Sequence, residues 1–340
     1  MHSPHIAKPT TVSVIMLKVL AALVPGLILS VFFNGIGVLA QLALATATAL
    51  LAEAAMLKLR GVPVRFFLRD GSAVLTAWLL ALTMPSLGAW WLIVVATLFA
   101  IVIAKQLYGG LGNNPFNPAM AGFAAVIVAF PAQMAQWASP GVPLNALQQL
   151  AYIFTHQLPS SGAPDAVAPA TSLGLLKTRM LLDGYDVSQF FATPLYGHVA
   201  GFGSVWIALA YLAGGLFLWR QQLIPWQTPV AMLVGVASVA LPLWQYDPVH
   251  FANPLFHLTA SATMLAAFFI VTDPVTAPAT SRGRLIFGFL VGVLLYVIRV
   301  FGGMPDAVAF AVLIMNIAVP FIDHTIQPPV FGAKRKGGPA

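Results

Sequence analysis

The sequence predicts an all-α polytopic membrane protein, and three observations carry that prediction. Apolar residues make up 59% of the 340 and charged residues only 7%, whereas a soluble domain needs roughly 25% charged residues to cover its surface. Apolar runs of about 20 residues, long enough at 1.5 Å rise to cross a ~30 Å hydrocarbon layer, recur about ten times. Lysine and arginine fall between alternate runs, as they do when loops are sorted by a membrane. In hydrocarbon each backbone donor and acceptor must be satisfied within its own segment, so the runs read as helices.

In chain order the runs place spans at 17–34, 36–57, 73–86, 89–107, 119–136, 200–219, 227–244, 258–273, 284–301 and 305–323. The third and eighth are short. Pro85 and Pro274 are expected to leave broken or half-length helices, because proline removes a backbone donor and clashes with the preceding turn. The chain then divides into a first five-span repeat (1–136), a long loop (137–199), a second five-span repeat (200–325) and a basic tail (326–340). Leu82-Thr83-Met84-Pro85 is followed one span later by Gly109-Gly110, and Val271-Thr272-Asp273-Pro274 by Gly302-Gly303, at offsets of 189 and 193 residues. Five spans, an odd number, separate equivalent positions. The expected fold is therefore about ten transmembrane helices in two inverted five-helix repeats with broken helices, an architecture that transporters use to build sites near the bilayer midplane.

A cytoplasmic N-terminus puts thirteen of the sixteen lysines and arginines, Lys105 among them, on the cytoplasmic side; only Lys177, Arg179 and Arg299 fall opposite. That bias predicts cytoplasmic N- and C-termini and an external loop 137–199. Loops of that length are uncommon unless functional or disordered, and this one is expected to fold partly against the membrane surface. The polar start, Met1 to Thr11, runs into an apolar stretch with no small-residue cleavage pattern, so no removable signal peptide is expected.

Composition also excludes functions. Without cysteine the chain can hold no disulfide and no thiolate-ligated zinc or iron–sulfur cluster. Its seven histidines lack metal-site spacing, and neither a nucleophile elbow nor a nucleotide fingerprint stands at a strand-to-helix junction. No metal and no catalytic residue is assigned. Basic and aromatic residues do not interleave, so nucleic acid is not a partner; the lipid bilayer is. Between the fourth and fifth spans, Tyr108 to Pro118 gathers glycines, prolines and Asn113, Asn114 and Asn117. Their amides suit a cation or a heteroaromatic ring, and equally a tight turn capping a helix. Glu53 and Asp273 sit near span ends, where an acid either serves function or reaches the interface. The residues themselves leave a membrane transporter first and an electron-transfer subunit second.

The run Ala104-Lys105-Gln106-Leu107-Tyr108-Gly109-Gly110-Leu111-Gly112, continuing through Asn114-Pro115-Phe116-Asn117-Pro118-Ala119-Met120, is joined in the second half by several others. They are Phe269-Ile270-Val271-Thr272-Asp273-Pro274-Val275-Thr276-Ala277, Arg282-Gly283-Arg284-Leu285-Ile286-Phe287-Gly288 and Phe301-Gly302-Gly303-Met304-Pro305-Asp306-Ala307. In this order they resemble the D-subunit family of the bacterial Rnf electron transport complex, related to the B subunit of the sodium-translocating NADH:quinone reductase. The likeness covers nearly the whole chain. It implies FMN held covalently by a phosphoester to a loop threonine. Ala170-Thr171-Ser172-Leu173-Gly174-Leu175-Leu176-Lys177-Thr178 matches that motif, with Thr171 as the attachment residue. Ser172 stands where the family often has proline and is a competing acceptor, while Thr193 lacks the downstream Lys-Thr. Lys177 and Arg179 are placed to offset phosphate charge. The resemblance further implies a noncovalent riboflavin, and coupling of electron transfer between ferredoxin and NAD to ion translocation. The implied partners are the other Rnf subunits, including the G subunit with its own covalent FMN and the iron–sulfur subunits. The implied location is the bacterial inner membrane with the flavin loop periplasmic. A cofactor-free secondary transporter is the rival from another class, and a structural anchor for redox partners a third.

Overall fold

The structure, a computed structural model, describes residues 11–134, 137–138, 144–157, 167–168, 173–174, 176–177, 186–192, 202–302 and 307–326. The first half contains α1 (Val12–Asn34), α2 (Gly37–Leu59), α3 (Ser72–Thr83), α4 (Trp90–Gln106) and α5 (Pro118–Ala129). After α6 (Ala146–Thr155) in the long loop come α7 (Phe202–Arg220), α8 (Gln227–Tyr246), the broken pair α9 (Pro254–Thr259) and α10 (residues 263–270), α11 (Ser281–Phe301) and α12 (Val308–Thr325). Among the described residues six helices, namely α1, α2, α7, α8, α11 and α12, are long and apolar enough to cross a membrane, and α3, α4 and α5 are shorter apolar helices. Counting α9 and α10 as one interrupted crossing, the segments match the ten apolar runs in order. The chain is a polytopic all-α membrane protein.

Local chemistry sets the helix ends. Thr11 caps α1 at the Val14 amide. Asn117 and Asn253 accept from the Met120 and Phe256 amides and are each followed by proline at the first helical position, where the missing N–H would have had no partner. The helix before Pro85 is half-length, as expected, at 12 residues, while the break in the second half falls away from Pro274. α3 already ends at Thr83, two residues before Pro85, because the residue preceding a proline is driven out of the α region. In the second half the interruption lies between α9 and α10, at Ser261 with φ +56°, well before Pro274. Both prolines therefore close helices rather than split them. Two wide π turns occur instead, at Phe99–Gln106 within α4 and Ala266–Ile270 within α10. Such turns frequently mark functional sites.

The helices approach closely through small residues, as they must where lipid supplies no hydrophobic drive to associate. Gly26 of α1 lies against Tyr211 of α7, and Gly214 of α7 against the Ala22 carbonyl. Gly235, Gly288 and Gly292 let α8 and α11 meet backbone to backbone. The first helices of the two halves, α1 and α7, pack on each other, and so do the last, α5 and α12. Contact between equivalent elements is what a two-fold relation produces at its axis.

The described parts of the long loop touch both halves. α6 opens with a capping box between Asn145 and Gln148. Gln149 on it accepts from the Gly37 amide at 2.9 Å, so α6 lies against the start of α2. Leu173, Leu176 and Val187 bury with Ala252, Phe256 and Ala260 of the second half, and Trp137–Ala138 pairs with Val167–Ala168 as a two-residue ladder.

Two of the cations counted as orientation signals are not surface residues. Lys105 and Arg299 are each 2% exposed and bonded internally, one from each side of the count, so the charge bias keeps its direction without them. Gly292→Leu, whose Cβ would overlap the Met232 carbonyl, is expected to cost about 1–3 kcal/mol through overpacking. Thermal unfolding of the detergent-solubilised chain should show that loss, and should show little change for Val234→Ala on the exposed side of α8.

Candidate functional site

The end of the second half that meets the long loop forms a cavity of about 250 Å³, walled by Leu173, Leu176, Lys177, Phe251, His257 and Arg299 among others. Its architecture follows from the break at Ser261. Interrupting a helix frees carbonyls that hydrocarbon cannot satisfy, and Arg299 of α11 supplies the donors. Its Nη1 donates to the His257 carbonyl at 2.8 Å and its Nη2 to Thr263 Oγ1 at 2.9 Å. Thr263 in turn donates to the His257 and Ala260 carbonyls. His257 is 3% exposed, its ring edge-on to Tyr296 at 4.8 Å, and its Nδ1 has no partner among the described residues. Lys177 donates its ammonium to the Gly302 carbonyl, and burial pushes its pKa below the usual lysine value. His250 on the rim pairs with Asp247 at 2.7 Å, a hydrogen bond that holds the Asp247 carboxyl below the ordinary carboxylate range. Two cations in mostly apolar walls suit a flat ring carrying an anionic or carbonyl-rich edge.

Of the loop residues expected at a cofactor site, Lys177 faces this cavity. Thr171, Ser172, Arg179 and Thr193 lie outside the described residues.

The asparagine cluster separates into two parts. Asn113 is exposed on the turn, where its N–H donates to the Gly110 carbonyl at 3.2 Å. Asn114 turns its amide to the Phe116 carbonyl at 3.0 Å. Both serve the turn, which Gly109, Gly110 and Gly112 enter with φ of +115°, +94° and +90°, angles that favour glycine. Asn117 alone reaches the other half. Its N–H donates to Asn316 Oδ1 at 3.1 Å and its amide to Asp273 Oδ2 at 3.4 Å. Asn316 then donates to the Thr276 carbonyl, and Asp273 accepts from Val275 and Thr276. The result is a hydrogen-bonded seam between the repeats.

Glu53 does not reach the interface. It is 2% exposed and its Oε1 accepts from Lys105 Nζ at 2.6 Å and Gln106 Nε2 at 2.8 Å, while its Oε2 is buried without a partner. Lys105 also donates to Ser72 Oγ at 2.7 Å, which donates to Asp70 at 2.6 Å. Gln106 Oε1 accepts from Arg60 at 2.7 Å. Sequence alone does not single out Glu53 with Lys105, or Arg299 with His257, as sites. The available signal is a cation inside an apolar run, which reads equally as a loop charge.

A bundle of apolar helices with a polar seam, a buried ion pair and a cationic cavity defines a polytopic all-α membrane protein. The chain belongs to the NQR2, RnfD, RnfE family, whose pattern it matches over residues 1–332. It is 49% identical over 334 residues to the D subunit of the ion-translocating oxidoreductase complex of Yersinia pseudotuberculosis (serotype O:1b, strain IP 31758), covering 94% of each chain. Proteins of the same description from Escherichia fergusonii and Salmonella typhimurium are each 48% identical, covering 98% of both chains.

Lys105→Met strands Glu53 as a buried charge and is expected to destabilise the chain by about 3–5 kcal/mol. The double variant Glu53→Gln/Lys105→Met should recover most of that loss in a thermal unfolding series.

Proposed function

We propose that this chain is the membrane electron-transfer subunit of an ion-translocating oxidoreductase complex and carries FMN through a phosphoester to Thr171. The complex couples electron transfer between ferredoxin and NAD to ion movement. The single observation that carries the flavin assignment is the cavity lined by Leu173, Leu176 and Lys177, which begins two residues beyond Thr171, within about 7 Å of extended chain.

The lining fits such a group. Lys177 and Arg299 present positive charge towards a phosphate or a ring carbonyl, and the unpartnered Nδ1 of buried His257 offers one hydrogen bond to a polar ring edge. Leu173, Leu176 and Phe251 exclude water from the ring face. When bound, FMN supplies exchange of electrons one at a time, and the chain supplies distance, orientation and electrostatics. Lacking cysteine, the chain depends on partners for iron–sulfur relays: the other Rnf subunits, among them the iron–sulfur subunits and the G subunit with its own covalent FMN. In this arrangement the protein lies in the bacterial inner membrane with the loop periplasmic and both termini cytoplasmic. The Asn117–Asp273–Asn316 seam is closed by its own hydrogen bonds. We therefore seat a noncovalent riboflavin in a second cavity of about 390 Å³ walled by Trp219, Trp226, Thr272, Pro274 and Arg284.

The paired halves alone also suit a cofactor-free secondary transporter, and one experiment separates the two. The denatured wild-type chain, from a host able to attach flavin, should fluoresce as a flavin band in a gel, and Thr171→Ala should abolish the band. A dark wild-type chain would leave the transporter. Fluorescence surviving Thr171→Ala but lost in Ser172→Ala would move the attachment by one residue. Ion uptake by vesicles of the intact complex, with and without sodium, identifies the coupling ion.

A further inference from the structure

The flavin assignment makes no use of the Glu53–Lys105 pair. Glu53 lies sixteen residues, about 24 Å along a helix, from Gly37, where α2 meets the long loop. It is six residues, about 9 Å, from the other end of α2 at Leu59. A pair kept only for packing satisfies both carboxylate oxygens, since an uncompensated buried charge is costly. Here the two oxygens are unequal: both donors, Lys105 Nζ and Gln106 Nε2, converge on Oε1, and Oε2 is buried and bare.

The pair is wired to one face. Lys105 Nζ, Ser72 Oγ and Asp70 Oδ1 form a chain with links of 2.7 and 2.6 Å, ending at a partly exposed carboxylate. Gln106 joins the same pair to Arg60, which is exposed. The charged groups around Glu53 are thus Lys105 from α4, Asp70 at the start of α3, and Lys58 and Arg60 at the end of α2, with Lys58 exposed. A metal cation needs several oxygen ligands, and Oε2 is the one bare oxygen of this carboxylate, Oε1 being taken by Lys105 and Gln106. A proton adds no ion-sized body and needs only the bare lone pair. Lys105 and Gln106 stand on the π turn of α4, a backbone form that can change register and so alter which donors meet Glu53.

We infer that Glu53 is a proton-binding site that exchanges with the face carrying Arg60 and Asp70. On uptake an O–H bond of a hydronium ion breaks, one forms on Glu53 Oε2, and water leaves. The transfer runs through the wire: Lys105 passes one proton to the carboxylate and regains one from Ser72 Oγ, which is refilled through Asp70, so Lys105 ends as it began, no electron moves, and the pair passes from net zero to one positive charge. Release reverses the step.

The test uses the assembled complex in membrane vesicles treated with dicyclohexylcarbodiimide. This reagent attacks protonated carboxylic acids in apolar surroundings, and the adduct on the Glu53 peptide is read by mass. Labelling of Glu53 should rise as the pH falls, be lost in Glu53→Gln, and be slowed in Ser72→Ala, which keeps the ion pair but cuts the link to Asp70. Should Glu53→Gln not assemble, the pH dependence and Ser72→Ala still decide. An unlabelled Glu53 in assembled complex, a pH-indifferent label, or a label indifferent to Ser72→Ala overturns the proposal. Thr171→Ala should label as wild type, so the outcome stands whether or not flavin is attached.

Discussion

A hydrocarbon solvent makes no hydrogen bonds, and that constraint organises this molecule more than any single contact does. Each place where the backbone departs from a continuous helix has its own internal partners. Arg299 and Thr263 serve the break at Ser261. Gln149 serves the start of α2, and Asn117 the start of α5. These polar side chains are few, and each is tied to an interruption or a junction. Elsewhere the buried Glu53–Lys105 network ties α2, α3 and α4, and helices such as α8 and α11 meet through small residues.

The two halves pair through equivalent helices, yet have diverged in what they do with one feature. Lys105 precedes Gly109-Gly110 at the end of α4, and Arg299 precedes Gly302-Gly303 at the end of α11. Each half thus buries one cation in the last turn of its fourth crossing. In the first half the cation meets a carboxylate; in the second it meets backbone carbonyls and a hydroxyl. The same architectural slot gives a buried ion pair on one side and a cation bound to backbone on the other.

Apolar length made the crossings legible, because a membrane span has a required size. The position of the breaks was not, since Pro85 and Pro274 are visible in sequence whereas Ser261 adopts its left-handed angle for tertiary reasons. Asn113, Asn114 and Asn117 are chemically alike and adjacent, so composition could not show that only Asn117 crosses to Asn316, 199 residues away. Glu53 and Lys105, 52 residues apart, each resemble an interfacial charge until folding brings them together. The proposed role of Thr171 rests on its motif, because a loop hydroxyl has no physical signature of its own in the sequence.

The guanidinium of Arg299 holds the last residues of α9 and the first of α10 at once. In mechanical terms it is a clasp across a joint: a displacement of the C-terminal end of α11 must be shared by both segments or must open the clasp. α10 leads directly to Asp273, which bonds Asn117 of the other repeat. Strain arising at the cavity beside Arg299 therefore has a short covalent and hydrogen-bonded route to the seam between the halves.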